Sequence, residues 1–177
     1  MMKLKRSFLA CLTTLLCLTS SMAAAESGTL TATIPWEGEG RVFRIGPDTM
    51  IFLGALRGIV YAETDKGVLN EGFMLCPVTQ RINTSTRATS GVGQCEIAVD
   101  GDNVVYAEFV CEGELGRCEG EFRVTGGGGR FTGASGSSKM TVRSPIQVLA
   151  VDMASGSDLR ISSGLAQLTE LKYRIPE

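Results

Sequence analysis

The sequence predicts an all-β chain: a single antiparallel β-barrel of about eight strands, clipped by two disulfides. Three observations carry that prediction. Polar and apolar residues alternate with period two over segments of strand length. Short runs rich in Gly, Asn, Asp and Ser, the residues that turns require, separate these segments. Beyond the leading 25 residues four cysteines remain, an even number.

The leading segment reads as an export signal. Lys3, Lys5 and Arg6 give it a positive start, Phe8 to Leu18 an apolar stretch, and Ser20-Ser21-Met22-Ala23-Ala24-Ala25 a small-residue end, with cleavage expected near Ala25. The apolar stretch is about 11 residues, whereas a membrane-spanning helix needs roughly 20. A lipid anchor does not fit either: too little apolar chain precedes Cys11, and Cys17 lacks a small residue before it. Residues 1–25 are therefore expected to be removed, leaving residues 26–177 as one domain, secreted or periplasmic.

Charge and composition close several functions. Without Lys3, Lys5 and Arg6, 14 basic residues face 19 acidic ones, a net charge of −5. That argues against nucleic acid, which needs clustered Lys and Arg, and against docking on anionic membranes, and since no later stretch reaches spanning length no stable membrane insertion is expected. The chain has no histidine, so a Ser-His-Asp triad, a Cys-His pair and a His-ligated zinc are all excluded.

Strands are expected in order as follows. Thr29–Ile34 alternates. Met50–Glu63 is long and apolar, with Gly54 and Gly58 as bends. Gly72–Ile82 follows, and Asn83–Gly93, rich in Thr, Ser and Gly, reads as an exposed loop carrying the sequon Asn83-Thr84-Ser85. Gln94–Val99 turns through Asp100-Gly101-Asp102-Asn103 into Val104–Cys111. That acidic turn lacks the further oxygen ligands a calcium loop needs. Cys118–Thr125 then meets Gly126–Gly129, a bend with no Lys-Ser/Thr after it to make a phosphate cradle. Phe131–Val142, Ile146–Asp152, Leu159–Ser162 and Gln167–Ile175 complete the set. Gly164–Lys172 fits either a helical turn, through Leu165, Leu168 and Leu171, or a strand, through Leu171, Tyr173 and Ile175. The three Glu-Gly-Glu repeats at 37–39, 112–114 and 119–121 read as acidic turns and wet faces.

Parity assigns the faces. Cys95, Ile97, Val99, Val105, Ala107, Phe109, Cys111, Cys118, Phe122 and Val124 share one face, and Gln94, Glu96, Glu108, Glu119, Glu121 and Arg123 the other. If Val104–Cys111 and Cys118–Val124 form a hairpin, Cys111 and Cys118 face each other at its end, within disulfide reach. Elimination pairs Cys76 with Cys95. A four-thiolate metal site is disfavoured, because no C-x-x-C occurs and the spacings 19, 16 and 7 do not match zinc ribbons. No metal or cofactor is expected.

The stretch Gly127-Gly128-Gly129-Arg130-Phe131-Thr132-Gly133-Ala134-Ser135-Gly136 resembles the G-T-G-x-F-x-G-A-x-G signature of allene oxide cyclase-like and dirigent-like proteins, with Gly128 where threonine is usual. The surrounding Val104–Val142 resembles them loosely. The resemblance implies a calycin-type eight-stranded barrel with an apolar cavity plugged by Phe131, several such proteins being trimers, and it is to secreted bacterial members. It supplies no catalytic residue at a matching position.

Candidate ligand-binding residues follow from misfit. Arg57 interrupts the apolar run Met50–Ala62, so it either reaches water from a half-exposed strand or anchors a polar group in a cavity, opposite Glu63. Tyr61, Tyr106 and Tyr173 are hydroxyl donors for such a cavity, with Tyr106 placed by parity on the wet face. Trp36, the single tryptophan, is read as a barrel-end plug or a rim contact. The function expected is non-catalytic binding of a small apolar or amphipathic ligand inside the barrel. The alternatives are a cyclase or isomerase working by carboxylate and Tyr acid–base chemistry, and a filled barrel that serves as a structural or interaction module. In that last reading the outer face, with Val104 and Val110, makes a homo-oligomer such as a trimer.

Overall fold

A computed structural model describes residues 25–64, 67–68, 71–145 and 158–177. The expected export signal, Ala25 apart, and the expected strand Ile146–Asp152 lie outside the described residues. The strands are β1 (Glu26–Arg44), β2 (Thr49–Thr64), β3 (Gly67–Val68), β4 (Gly72–Asn83), β5 (Ala88–Asp100), β6 (Asn103–Glu114), β7 (Arg117–Gly128), β8 (Ser135–Arg143) and β9 (Asp158–Ile175). One 3₁₀ turn, Gly129–Phe131, joins β7 to β8.

Each long strand pairs antiparallel with the next, and β9 returns to pair with β1. The contacts run from Glu26↔Ile175 to Arg41↔Asp158 on one side of β1 and from Thr31↔Glu63 to Arg44↔Met50 on the other. This closes an eight-stranded barrel, with β3 a short flap on the end of β2. Closure gives the long strands partners on both sides and leaves no long edge to aggregate.

Period-two alternation puts Ala32, Ile34, Trp36, Cys95, Ile97, Ala107, Phe122 and Val124 inside, all buried. Glu96, Glu108, Glu119, Glu121 and Arg123 lie exposed outside. A second small apolar cluster, Met50 and Ile82 with Val42 and Leu115, closes one end.

Several expected boundaries are corrected. β1 runs straight through Glu37-Gly38-Glu39, and β7 through Glu119-Gly120-Glu121; these repeats are strand with wet glutamates and inward glycines, not turns. Glu112-Gly113-Glu114 closes β6, and the turn is Leu115-Gly116. The expected loop 83–93 contains only a short turn: β5 already starts at Ala88, and Thr89 is buried in the barrel. Within the turn, Asn83 Oδ1 accepts hydrogen bonds from the Ser85 and Thr86 backbone N–H groups, at 3.1 and 2.8 Å, the local pairing that makes asparagine a turn residue. Leu159–Ser162 and Gln167–Ile175 are one strand, β9, and the Gly164–Lys172 segment is extended rather than helical. Pairing with β1 and β8 on both sides overrides the three-residue leucine spacing.

Both disulfides join neighbouring strands inside the barrel: Cys76–Cys95 and Cys111–Cys118. The second crosses its hairpin on the diagonal, with Cα atoms 5.6 Å apart, rather than face to face. Cys111 stands opposite Gly120, and Cys118 opposite Gly113. Each glycine lets the facing backbone come close: a Cβ on Gly120 would lie 1.8 Å from the Val110 carbonyl oxygen. Gly120→Ala is therefore expected to destabilise the fold by about 1–3 kcal/mol, measured by denaturant unfolding, since the obstructing atom is backbone and has no rotamer to escape into. An unchanged unfolding midpoint would refute this account.

The first disulfide sits at a break in the sheet. The β4–β5 ladder passes from Leu75↔Glu96 to Val78↔Gly93, skipping Cys76–Cys95 and Pro77–Gln94. On its other side β4 pairs with β2 without interruption, Ala55 against Pro77. Proline has no N–H to donate, so a central strand carrying one loses part of a ladder. The covalent bond clips the two strands where their hydrogen bonding lapses.

Candidate functional site

Trp36 divides the interior. Its residue pairs with Gly58 on β2 and with Gly164 on β9, near mid-height of the barrel. The indole fits over Gly164 because that residue lacks a side chain: a Cβ there would lie 2.5 Å from Trp36 Cζ2. Trp36 is thus a plug, but an internal one rather than one at the barrel end. Its Nε1 is buried and has no hydrogen-bond partner. On one side of it lies a small space of about 100 Å³, bordered by Leu56, Thr89, the Cys111–Cys118 bridge and Ser162.

The main cavity lies in the other half of the barrel and holds about 410 Å³. Its wall is apolar: Leu30, Ala32, Ile34, Val60, Ala62, Ile97, Phe122, Val124, Leu168 and Leu171 contribute from five strands. Small side chains make the room. Ala32 and Ala62 face each other across the β1–β2 pair, and Ala134 is buried at the start of β8. This volume falls within the range of small-molecule pockets.

Polar groups gather only towards the open end. Glu26 starts β1, Ser135 starts β8, Tyr173 lies near the end of β9, and Arg130 sits in the 3₁₀ turn. The Tyr173 hydroxyl donates to Glu26 Oε1 at 3.2 Å. Arg130 stacks over the Phe131 ring, its guanidinium carbon 4.9 Å from the centroid, and pairs with Asp100 at 3.5 Å. Asn103 Oδ1 accepts the Arg130 backbone N–H at 2.8 Å, tying the 3₁₀ turn to the β5–β6 turn. Gly129, at φ +59°, allows the bend that lays Phe131 against the core beside the cavity.

The expected site residues separate. Tyr173 lines the main cavity, and Trp36 the small one. Arg57, Tyr61 and Tyr106 lie on the outer wall, outside both. Arg57 pairs with Glu39 of β1 at 2.7 Å, both side chains 55% exposed, and does not meet Glu63. In β2 the odd positions 57, 59 and 61 all point outward while Gly58, Val60 and Ala62 point in, so the charge interrupts an exterior face. Arg130, Glu26 and Ala134 border the cavity without having been singled out as binding residues. Among the described residues no group of three or more His, Cys, Asp or Glu side chains is placed to hold a metal ion.

The outer wall has its own apolar area. Ile59 of β2 lies directly across from Phe73 of β4, with Leu75 two residues further along β4, and a separate exposed pair, Val92 of β5 across from Val110 of β6, lies beside Leu53 further along the wall. Phe73 is 54% exposed. No protein-family model matches the chain, and no curated protein or solved structure matches it either.

Proposed function

We propose that the chain is an exported barrel that binds one small apolar or amphipathic molecule in its main cavity, away from the small space that Trp36 lines, without transforming it. The observation that carries this reading is the polarity of the 410 Å³ space: apolar along its wall, polar only at its mouth. Such a site removes an apolar body from water and leaves a polar end hydrated. Two disulfides in the wall support an oxidising destination, secreted or periplasmic. The wall is apolar inside and carries charges such as Glu96, Glu108 and Glu121 outside, the reverse of a lipid-embedded barrel. Kinship with allene oxide cyclase-like and dirigent-like barrels is part of the proposal, and the Gly127–Gly136 stretch supplies Arg130, Phe131, Ala134 and Ser135 to the cavity.

The cyclase or isomerase reading asks for carboxyls that converge in the cavity, and among its described lining residues Glu26 is the single carboxylate. The filled-barrel reading asks for a core without this space. What favours a second role, self-association into a homo-oligomer, is the exposed apolar side chains of the outer wall, Ile59 and Phe73 in one place and Val92 and Val110 in another. Native mass spectrometry reads both the bound ligand and the oligomer mass.

The direct test is titration with the neutral fluorescent probe N-phenyl-1-naphthylamine. Saturable uptake at one site per chain is expected. Ala62→Phe, which fills the space between Ala62 and Ala32, is expected to weaken uptake about tenfold or more. Arg57→Ala and Tyr106→Ala, on the outer wall, are expected to leave it unchanged. No saturable uptake by the folded protein, or equal uptake by the Ala62→Phe variant, would overturn the proposal.

A further inference from the structure

The barrel end that holds the cavity mouth is charged unevenly, and this bears on which amphiphile the barrel takes. Among the described residues, six carboxylates sit at this end of the barrel. Glu26 opens β1, Glu63 is the second-last residue of β2, Glu71 precedes β4, Asp100 ends β5, Asp102 lies in the β5–β6 turn, and Glu177 follows β9. Two guanidiniums, Arg130 and Arg174, lie at the same end. The opposite end is nearly balanced, with Arg44, Arg87, Arg117 and Arg143 among its charges. The positive charge on the cavity lining, Arg130, is occupied twice over, by Asp100 and by the Phe131 ring. The carboxylate on the lining, Glu26, is held by the Tyr173 hydroxyl as an acceptor facing the opening.

On the premise that the cavity binds an amphiphile, we propose that it selects for a cationic head over an anionic one, so that its natural ligand is an amine-bearing apolar molecule. The acidic residues are not themselves the site. The apolar cavity binds the body of the ligand, and the carboxylates set the potential where its head must rest. A cationic head gains from that potential and accepts the tyrosine-held Glu26 as a hydrogen-bond partner. An anionic head meets the same potential as repulsion, with its natural partner Arg130 already engaged. Cleavage near Ala25 would add one ammonium to the rim and leave it acidic.

The experiment displaces N-phenyl-1-naphthylamine from the full mature chain at pH 7 with three ten-carbon amphiphiles: decylamine, decanol and decanoate. At low salt, where the Debye length is about 30 Å, decylamine is expected to bind about tenfold more tightly than decanoate, with decanol between them. At about 1 M salt, where the Debye length is about 3 Å, the spread is expected to collapse to about twofold. The combined variant Glu26→Gln, Glu63→Gln and Glu71→Gln is expected to narrow the low-salt spread without weakening decanol. Equal affinities at low salt, or decanoate as the tightest, would overturn the head selection while leaving the cavity reading intact. Failure of the neutral probe and of all three amphiphiles to bind would overturn the cavity reading itself.

Discussion

Replacing Cys76 and Cys95 together by alanine is expected to cost about 3 kcal/mol and to lower the midpoint of thermal unfolding by about 6–12 °C. The bridge closes a 19-residue separation, so its loss frees more of the unfolded chain than loss of the 7-residue Cys111–Cys118 bridge. The damage is also expected to be local. Pro77 cannot donate to β5, and the ladder is already interrupted over the two pairs that include Cys76 and Cys95. With the covalent clip gone, the barrel should open first along this seam. Hydrogen exchange is therefore expected to rise in the flanking segments, Phe73–Val78 of β4 and Val92–Ile97 of β5, before it rises in β7 or β8. A variant that exchanges faster to the same extent all around the barrel would show that the disulfide acts only through the unfolded chain and that the seam has no special weakness.

Trp36→Ala is expected to cost about 3–5 kcal/mol, the largest effect of a single side-chain truncation in this molecule. The indole is 8% exposed and lies over Gly164 of the neighbouring β9, near the middle of the barrel. Gly164 supplies no side chain to fill the void, which would open onto the small space already bordered by Leu56 and Val142, so the cavity term is large. Trp36→Phe is expected to cost well under half as much. It keeps most of the aromatic volume, and the Nε1–H that it removes makes no hydrogen bond. Denaturant unfolding followed by far-ultraviolet circular dichroism measures both, since the sole tryptophan is lost in each. A loss below about 1 kcal/mol for Trp36→Ala would mean that the plug contributes little.

These expectations rest on features that were unequally visible in the linear chain. The hairpin Val104–Val124 was legible because one of its faces is wet and the other dry: charged and apolar residues alternate, so parity alone sorts inside from outside. The same parity put Cys111 and Cys118 within reach of each other, and elimination then paired Cys76 with Cys95. β2 was not legible in this way. Its residues are apolar on both faces, Ile59 outside as much as Val60 inside, so nothing in the pattern says which way Arg57 or Tyr61 points. The acidic repeats misled for a related reason: glycine marks a turn in isolation, but here it faces inward where a neighbouring side chain or backbone needs the space.

The sequence by itself determined that the chain is all-β and that histidine chemistry is closed to it, and it pointed to the pairing 76–95 and 111–118 once a hairpin was assumed. Local spacing suffices for these, because alternation, hairpin reach and composition are properties of neighbouring residues. Closure of β9 onto β1, the division of the interior by Trp36, and the meeting of Glu26, Arg130 and Tyr173 at one mouth were decided only by the tertiary structure. Those residues are separated by as many as 147 positions, as between Glu26 and Tyr173. Their encounter depends on the register of every intervening strand, and a shift of one residue would turn the lining outward.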